Sequence, residues 1–387
     1  MQRVELILGD EVVPFYYGYD CFDEIKSLLK GLEADRFIIV TDQNVSALYG
    51  DALAAALHEV TPCLMLCAPA GEASKDLKVL SDHAERAIEW GATRRSVVIA
   101  LGGGVPGNLG GLLAALLFRG IRLIHIPTTM IGMMDSVISL KQTVNSRCGK
   151  NLFGTFYRPT MVLSNLLTLT TLPPREVRAG VCEAIKNALC IHPRQVDRLR
   201  ELLNPDCLYD AESYRFLLES SLAAKLEIMA LDKHEKSRGL VLEYGHTIGH
   251  AIELADCTRD DIERISHGEA VGVGMVGAAQ IAYEIGVLDA ASMDLHYELL
   301  YRAGALRPLP SGVSPEQVIN LIRFDNKRGY RKKDSTCIDM ILLRRLGQPL
   351  GSPELPLTAV PISLIESVVG SLDEFVTRWQ LSAMEVR

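Results

Sequence analysis

The sequence lacks the features that would place it in a membrane, in an oxidising compartment or on nucleic acid. No segment has 18 uninterrupted apolar residues, and the start MQRVELILGDEVVPFYYG does not resemble a signal peptide, so we predict a cytoplasmic protein. The nine cysteines are scattered without a C-x-x-C pair, which argues against a disulfide framework or a thiolate zinc cluster. The 40 basic and 48 acidic side chains give a net charge of −8 and no basic stripe. A small-molecule substrate is therefore expected.

The length and the pattern of the chain predict two domains of different character. Its 387 residues, 48% of them hydrophobic, are enough for at least one large core, and the length favours two domains over one. Up to about residue 165, short β-branched runs alternate with helical periodicities, which predicts right-handed crossovers and a parallel sheet. The strand-like runs are RFIIVTD, PCLMLCAP, SVVIALGGG and IRLIHIPTT. We therefore predict an α/β, Rossmann-like nucleotide-binding domain over residues 1–165.

From Pro173 onward the pattern changes to long helical periodicities. They cover residues 175–191, 211–232, 242–255 and 270–286, and one strand-like run, IDMILL, follows them. Residues 166–387 are thus expected to form a mainly α-helical domain, with LRPLPSG as a loop within it. The site is expected in the cleft between the two domains.

A glycine turn joins the third predicted strand to a helix in SVVIALGGGVPGNLGGLLAALL. Gly102, Gly104 and Gly107 satisfy G-x-G-x-x-G, and glycines let backbone N–H groups approach a pyrophosphate at a helix N-terminus. A turn that serves only helix packing uses similar glycines, so the match alone is weak. The turn does not follow the first strand, and the acidic residue expected about 20 positions later is missing. Asp42, at the end of RFIIVTD, is the better candidate for contacting an adenosine ribose.

The segment MDSVISLKQTVNSRCGKN is rich in charged and amide side chains. It contains Asp135, Lys141, Asn145, Lys150 and Asn151. Ammonium groups neutralise phosphate and amides hydrogen-bond to hydroxyls, so the segment suits a phosphorylated, polyhydroxylated substrate. The plainer interpretation is a solvated polar loop.

Two histidines four positions apart lie in EYGHTIGHAIE. On a helix His246 and His250 share a face, but no Glu lies between them as in H-E-x-x-H, and two packed imidazoles are the plainer interpretation. Support for a metal site comes from ISHGEA, with His267, and from GVCEAIKN, with Glu183 and Lys186 on one helix face. A carboxylate and two imidazoles from three segments would leave a zinc ion an open position for substrate oxygens.

Six motifs occur in order along most of the chain: GGGVPGN, PTT…DSVISLKQTVN…GKN, LPPREVRAGVCEAIKN, EYGHTIGHAIE, HGEA and DNKRGY. In this combination the sequence resembles the sugar phosphate cyclases of the 3-dehydroquinate synthase superfamily. The resemblance implies a dehydroquinate synthase-like fold, NAD, one divalent ion (Zn²⁺ or Co²⁺) and a homodimer. SVISLKQTVN, KSRGLVLEYGHTIGHAIELA and DNKRGY are most similar to the branch that turns D-glucose 6-phosphate into the carbocycle of aminoglycoside antibiotics. There the sugar is transiently oxidised by NAD, loses phosphate, is reduced again, opens its ring and closes a carbocycle by an aldol step.

The resemblance also implies roles for individual residues. The metal would be bound by Glu183, His246 and His267. The catalytic set would be Lys141, Lys150, Glu243 and His250, the last beside the metal. NAD would be contacted by Asp42, Glu72, Lys75, Gly103, Gly104, Asn108, Thr128, Thr129, Lys150, Thr171, Leu172 and Glu176. The substrate would be bound by Asp135, Lys141, Lys150, Asn151, Lys186, Lys225, Glu243, Lys327 and Arg119 of the neighbouring chain.

Departures from the superfamily pattern bear on the substrate. Gly239 and Glu243 stand where a dehydroquinate synthase has an Arg that pairs with the substrate carboxylate and, four positions on, an Asn. The loss of that bidentate partner argues against a carboxylate-bearing substrate. Asn108 stands where Asp is usual, which leaves the nature of its contact with NAD open.

Other interpretations stay open from the sequence. The nearest are cyclases of the same fold that form an epi-valiolone from sedoheptulose 7-phosphate, or that form dehydroquinate. A metal-dependent alcohol or glycerol dehydrogenase shares the two-domain plan, but its net redox chemistry has little use for Lys141, Lys150 and Lys225 around a phosphate. A third interpretation is a catalytically inactive binding protein, which phosphate release would exclude.

Overall fold

The computed structural model describes residues 1–147, 149–256, 264–323, 327, 329–331 and 336–385, so Asp325, Asn326 and Arg328 of DNKRGY lie outside the described residues. The chain divides into two compact units. Residues 1–172 and 210–218 form the first, and residues 173–209 and the chain from 219 onward form the second. The domain boundary predicted at residue 165 lies within the first unit, whose N-terminal part extends to residue 172. In the described ranges, no helix combines the length and the apolar character needed to cross a membrane.

The strands of the first unit form a mostly parallel sheet and a separate hairpin. They are β1 (Gln2–Leu8), β2 (Glu11–Gly18), β3 (Phe37–Asp42), β4 (Cys63–Ala68), β5 (Val97–Gly102), β6 (Arg122–Pro127), β7 (Lys141–Ser146), β8 (Gly149–Phe156) and β9 (Met161–Asn165). The sheet order is β1-β2-β9-β6-β5-β3-β4, with β1 and β2 antiparallel and the other neighbours parallel. β7 pairs only with β8 among the described strands.

The α/β class with a parallel sheet is confirmed, and one detail of the predicted strand order is wrong. The glycine turn follows the fifth strand of the chain and not the third. The two N-terminal strands are joined by the short turn at Gly9 and Asp10, with Gly9 at φ +63°. No helix separates these strands, so they do not show the alternation of strand and helix from which the others were predicted.

Helices cover both faces of the sheet. The α-helices are α1 (Phe22–Lys30), α2 (Gln43–Val45), α3 (Asp51–His58), α4 (Leu77–Glu89), α5 (Gly104–Leu116) and α6 (Met130–Met134); the π-helix Ser46–Gly50 lies between α2 and α3, and 3₁₀-helices form at Glu72–Ser74, Leu117–Arg119, Ser136–Ile138 and Leu166–Thr171. Side chains of β3 alternate between two cores: Phe37 and Ile39 pack with Ile25 of α1, whereas Ile38 packs with Leu113 of α5. Burial on both faces is typical of parallel sheets in α/β proteins.

The second unit is mainly helical, as predicted. Its α-helices are α7 (Pro174–Cys190), α8 (Val196–Leu202), α9 (Ala211–Met229, which begins in the first unit), α10 (His246–Asp256), α11 (His267–Glu284), α12 (Ala290–Arg302), α13 (Pro315–Ile322), α14 (Ile362–Gly370) and α15 (Leu372–Glu385), with 3₁₀-helices at Pro193–Gln195 and Arg238–Glu243. Two antiparallel pairs join β10 (Cys337–Met340) to β13 (Thr358–Pro361) and β11 (Leu343–Arg345) to β12 (Gln348–Pro349). The helix predicted from residue 242 begins only at His246, because Gly245 has φ +78° and interrupts it.

The helices α7, α10 and α11 pack closely because two of the glycines of α11 lie against the backbone of neighbouring segments. A Cβ on Gly274 would lie 1.9 Å from the carbonyl oxygen of Gly245, which immediately precedes α10. A Cβ on Gly268 would lie 2.0 Å from the carbonyl oxygen of Ala179 in α7. Neither contact is sterically allowed, so any other residue at these positions would push α11 away from its neighbours. Gly268 thus lets the beginning of α11 approach α7, and Gly274 lets the beginning of α10 approach α11.

Gly274→Ala is expected to lower the free energy of unfolding by roughly 2 kcal/mol, because backbone on both sides of the contact must move. The higher helix propensity of Ala, about 1 kcal/mol, does not offset this clash. Gly370, the last residue of α14, is the matched control, since a Cβ there meets no atom of the described residues within 4 Å. Urea unfolding followed by circular dichroism should show a lower midpoint for Gly274→Ala and not for Gly370→Ala. Equal midpoints would contradict the close packing.

Candidate active site

The beginnings of α10 and α11 bring two imidazoles to a carboxylate on α7. Glu183 is 2% exposed, and its Oε1 lies 3.8 Å from Nε2 of His246 and 3.8 Å from Nε2 of His267. Zinc bonds to nitrogen and oxygen are about 2.1 Å long, so atoms that share one ion lie at most about 4.2 Å apart. Both distances are therefore short enough for Glu183 to share one divalent ion with either imidazole, and ions such as Zn²⁺ or Co²⁺ favour such mixed nitrogen and oxygen ligands.

The hydrogen bonding of Glu183 agrees with this fit. Within the described part of the chain, its Oε1 is buried without a hydrogen-bond partner, whereas Oε2 accepts a hydrogen bond from Nζ of Lys186. A buried acceptor left without a donor costs about 1–3 kcal/mol, and more when it is charged. A cation at Oε1 would remove that cost. The geometry thus supports Glu183, His246 and His267 as the ligand set, which stays a prediction.

His250 lies beside this cluster. Its ring centroid is 5.0 Å from that of His246 and 5.7 Å from that of His267, and ligating nitrogens of the three histidines lie within 4.8 Å of one another. The three imidazoles are therefore an alternative ligand set. Burial, with a contribution from Lys186, lowers the pKa of His246 to about 3; burial and His246 lower the pKa of His250 to about 3. Both rings are neutral near pH 7, the form that binds metals.

Cationic side chains are buried in the same unit. Lys186, Lys225 and Lys327 are between 1% and 3% exposed. Besides the contact of Lys186 with Glu183, Nζ of Lys327 lies 3.8 Å from Oε2 of Glu243. Lysine is rarely buried this deeply unless its ammonium group is paired with an anion. All three were predicted to bind substrate, and Lys186 and Lys327 each contact a carboxylate predicted to act in the site.

Predicted cofactor residues of the first unit follow the ends of neighbouring parallel strands. Asp42 ends β3, Glu72 and Lys75 follow β4, Gly103 and Gly104 follow β5, and Thr128 and Thr129 follow β6. Because β6, β5, β3 and β4 are adjacent and parallel, these residues share the carboxyl edge of the sheet, where open α/β sheets bind ligands. Asp42 also caps α2, since its Oδ1 accepts from the N–H groups of Asn44 at 2.9 Å and Val45 at 3.0 Å.

The glycine turn between β5 and α5 leaves space next to the helix N-terminus. Gly102 has φ +144°, and a Cβ there would lie 2.7 Å from Cγ of Pro106, so the fold itself requires this glycine. A Cβ on Gly104 or Gly107 would meet no atom of the described residues within 4 Å. Backbone N–H groups and the helix dipole favour an anion at this end of α5. The turn therefore fits a dinucleotide pyrophosphate, and packing alone does not account for all its glycines.

A hydrogen-bond network joins the glycine turn to the hairpin β7–β8. Nδ2 of Asn108 donates to the carbonyl oxygen of Gly104 at 2.8 Å, and its Oδ1 accepts from the N–H of Thr143 at 2.8 Å. Oδ1 of Asn151 accepts from Oγ1 of Thr143 at 3.0 Å and from Nζ of Lys75. An ionised Asp at 108 would place an acceptor against the Gly104 carbonyl oxygen, which gives a reason for Asn at this position. Direct contact of Asn108 with NAD stays a prediction.

The remaining predicted residues are distributed over both units. Lys141 begins β7, Lys150 lies in β8, Asp135 follows α6, Thr171 ends the 3₁₀-helix Leu166–Thr171 with Leu172 after it, and Glu176 lies in the first turn of α7. Oγ1 of Thr171 lies 2.8 Å from the hydroxyl oxygen of Tyr49. The binding roles of these residues stay predictions.

Gly239 lies where a side chain has no room. A Cβ there would be 2.9 Å from Oδ2 of Asp232 and 3.1 Å from Cβ of Glu235. The Asp232 oxygen already accepts the N–H of Gly239 at 2.9 Å and that of Ser237 at 2.7 Å. An arginine at position 239 would have to displace this turn. The crowding gives a physical reason for the absence of the arginine that pairs with a substrate carboxylate in dehydroquinate synthases.

Known proteins resemble the chain along nearly its whole length. Residues 65–179 match the family model of 3-dehydroquinate synthase N-terminal, and residues 180–328 match that of 3-dehydroquinate synthase C-terminal. A 2-deoxy-scyllo-inosose synthase from Streptoalloteichus tenebrarius is 46% identical, over 98% of this chain and 97% of its own.

Two solved structures extend the comparison. The crystal structure of a 2-deoxy-scyllo-inosose synthase complexed with carbaglucose-6-phosphate, NAD⁺ and Co²⁺ has a TM-score of 0.88 at 35% identity, over 96% of this chain and 99% of its own. A 2-epi-5-epi-valiolone synthase from Streptomyces hygroscopicus subsp. jinggangensis, with NAD⁺ and Zn²⁺ bound, has a TM-score of 0.79 at 25% identity, over 95% and 98%. The predicted cofactors, NAD and one divalent ion, are those that both solved relatives contain.

A nucleotide-binding type of sheet and a helical unit with a carboxylate–imidazole cluster define the class of protein. The chain belongs to the 3-dehydroquinate synthase superfamily of sugar phosphate cyclases, and within it to the 2-deoxy-scyllo-inosose synthases. It is therefore a carbon–oxygen lyase. The resemblance inferred from the six sequence motifs is confirmed.

Removal of a ligand should remove the metal. Glu183→Ala and His267→Ala are each expected to lower the bound metal to less than about a tenth of that in the unaltered protein, because two ligands hold a divalent ion poorly. His250→Ala is the control and should keep the ion. Metal content after desalting is measured by inductively coupled plasma mass spectrometry. If Glu183→Ala kept the ion and His250→Ala lost it, the three imidazoles would be the ligand set instead.

Proposed function

We propose that the chain converts D-glucose 6-phosphate into 2-deoxy-scyllo-inosose and inorganic phosphate, a step of aminoglycoside antibiotic biosynthesis. NAD would be reduced and reoxidised in each turnover, and one divalent ion would be bound. The proposal is supported by the family of the chain and by the carbaglucose-6-phosphate, NAD⁺ and Co²⁺ of the solved relative. The cytoplasmic location predicted from the sequence belongs to the same proposal.

The observation that carries this proposal is the environment of Glu183. One carboxylate oxygen faces two imidazole nitrogens at 3.8 Å, and the other accepts a hydrogen bond from the buried ammonium group of Lys186. A cation at the first oxygen and the ammonium group at the second would therefore share one carboxylate. Such a pair suits a substrate that carries both a hydroxyl group to be oxidised and a phosphate to be lost.

The first half of the reaction breaks the bond to phosphate. When bound, NAD accepts a hydride from C4 and later returns it, and the divalent ion polarises the oxygen on C4. Oxidation at C4 acidifies the hydrogen on C5, and loss of that proton lets the C6–O bond break. Glu243, His250 and the phosphate of the substrate are the groups that can accept this proton. Lys141 and Lys150 would neutralise the charge that grows on the departing phosphate.

The second half closes the carbocycle. Once C4 is reduced again, the sugar ring opens and exposes an aldehyde at C1. The enol carbon C6 then attacks C1 and forms the new carbon–carbon bond. Glu243 and His250 would move the protons that these steps require, while Asp135 and Asn151 would hold the hydroxyl groups. The ketone and the phosphate together contain every atom of the substrate, and NAD is not consumed.

Two other cyclase functions are less well supported. Dehydroquinate formation needs a cationic partner for the substrate carboxylate, and Asp232 crowds Gly239, where that partner would stand. Formation of an epi-valiolone from sedoheptulose 7-phosphate has less support, because the solved epi-valiolone synthase resembles the chain less than the solved inosose synthase does.

The reaction cycle predicts that phosphate is released without accumulation of NADH. The protein is incubated with D-glucose 6-phosphate and NAD at a concentration close to that of the protein. Phosphate released should exceed the NAD present many times over, and mass spectrometry should identify the cyclised ketone. Conversion of the NAD to NADH, without phosphate release beyond the amount of NAD, would indicate a dehydrogenase. Sedoheptulose 7-phosphate is the matched control, and preferential phosphate release from it would favour the epi-valiolone synthase.

We also propose a homodimer in which Arg119 of the partner subunit contacts the substrate. Arg119 has φ +66°, between Phe118 at +52° and Gly120 at +122°. Non-glycine residues seldom adopt such conformations, and backbone strain of this kind is found mainly at functional sites. Two successive strained residues support a role for this turn beyond connecting α5 to β6.

Mixing two inactive variants tests this arrangement. Arg119→Ala and Lys141→Ala should each be nearly inactive, but their co-expression should restore about a quarter of the phosphate release. Half of randomly formed dimers contain one chain of each kind, and one of their two sites then has both intact residues. Lys141→Ala with Lys150→Ala is the control, which should stay inactive because both residues belong to one chain's site. Lack of activity in the first mixture as well would contradict a role across subunits.

A further inference from the structure

His267 is contacted on both ring nitrogens. Its Nε2 faces Oε1 of Glu183 at 3.8 Å, and its Nδ1 lies 3.2 Å from Oε2 of Glu253. The Glu253 side chain is 12% exposed, whereas that of His267 is 33% exposed. The more exposed of the two histidine ligands is thus held by a carboxylate to which the sequence motifs assigned no role.

The position of Glu253 follows from helix geometry. His246, His250 and Glu253 occupy positions i, i+4 and i+7 of α10, so they lie along one face of the helix. The face that presents two imidazoles to the metal site therefore also presents this carboxylate to the beginning of α11. The spacing H-x₃-H-x₂-E could have indicated the contact, but only the packing of α11 against α10 shows which group the carboxylate meets.

The contact selects one tautomer of His267. An ionised carboxylate only accepts hydrogen bonds, so the proton of the neutral ring must be on Nδ1. The lone pair is then on Nε2, on the side of Glu183. His246 is held in the same tautomer by a different partner, because its Nδ1 lies 3.1 Å from the carbonyl oxygen of Tyr244. That partner is backbone two residues away, whereas His267 depends on a side chain from another helix.

The backbone of His267 is already fixed by other contacts. Ser266 caps α11 by accepting the N–H of Glu269, whose Oε2 accepts from the N–H of Ser266 at 3.1 Å. Glu269 is also paired with Arg178 at 3.3 Å and Arg307 at 2.9 Å. With the main chain held, rotation of the imidazole is the freedom that remains. Contact with Glu253 restricts it.

We propose that Glu253 is a positioning residue of the metal site. It orients His267 through Nδ1, directs the lone pair of Nε2 towards the ion, and raises the basicity of the ring. This role rests on the proposed function only in that both use the same divalent ion.

Metal affinity measured without substrate tests the proposal. Apo protein is titrated with Co²⁺ and with Zn²⁺ in competition with a chromophoric chelator, and the visible absorption spectrum of the Co²⁺ form is recorded. Glu253→Leu, which removes the acceptor, should weaken both affinities about 10- to 100-fold and change the Co²⁺ spectrum. Glu253→Gln keeps an acceptor but loses the charge, so a loss of a few-fold, up to about tenfold, is expected. Glu366→Gln, at an exposed position of α14, is the matched control and should behave as the unaltered protein.

The outcomes separate this role from the proposed function. Unchanged Co²⁺ affinity and spectrum in Glu253→Leu would overturn the role of Glu253, whatever substrate the enzyme uses. If Glu253→Leu does not fold, as judged by circular dichroism of the apo form, Glu253→Gln decides: weaker binding supports the role and unchanged binding overturns it. Failure of the unaltered protein to bind either ion would count against the proposed function and the role of Glu253 together. Tight binding without phosphate release from glucose 6-phosphate would count against the proposed function alone.

Discussion

The helical unit depends on a close approach between backbones that only glycine allows. Gly268 and Gly274 let α11 touch α7 and the segment before α10, and the three helices then carry a carboxylate and two imidazoles to one point. The same packing buries Oε1 of Glu183, which has no hydrogen-bond donor within the described residues. That burial lowers stability unless a cation is present.

The carboxylate of Glu183 can interact with two positive charges, the ammonium group of Lys186 at one oxygen and a metal ion at the other. Its second oxygen accepts a hydrogen bond from Lys186, so the negative charge available to an ion at the first oxygen is reduced. An ion that receives less charge from its ligands polarises a bound oxygen more strongly. If Glu183 binds the ion, Lys186, predicted from the sequence to bind substrate, would also adjust the Lewis acidity of the site. This second role follows from the i, i+3 spacing on α7, which keeps the two side chains in contact.

Much of the architecture could be predicted from the sequence, because buried parallel strands and long helices have distinct periodicities. The β1–β2 pair and the β7–β8 hairpin were not predicted, since neither shows the alternation of strand and helix. For the site, the motifs indicated which residues matter but not what they contact. The amide of Asn108 bonds to Gly104 and Thr143, and Glu253 meets His267 across two helices. Such contacts depend on how separate elements pack and on side-chain geometry, which the residue types and their spacing do not specify.

The chain of hydrogen bonds through Asn108, Thr143, Asn151 and Lys75 bears on how long the cofactor stays bound during a turnover. It links the turn that suits a dinucleotide to the hairpin that carries Lys141 and Lys150. Coupling between two binding events is reciprocal, so an occupant that stabilises one end tightens binding at the other by the same factor. A reduced nicotinamide must remain in place until its hydride has gone back to the sugar. If NAD binds at the turn and the sugar at the hairpin, mutual tightening would keep the reduced cofactor in place while the sugar intermediate is bound.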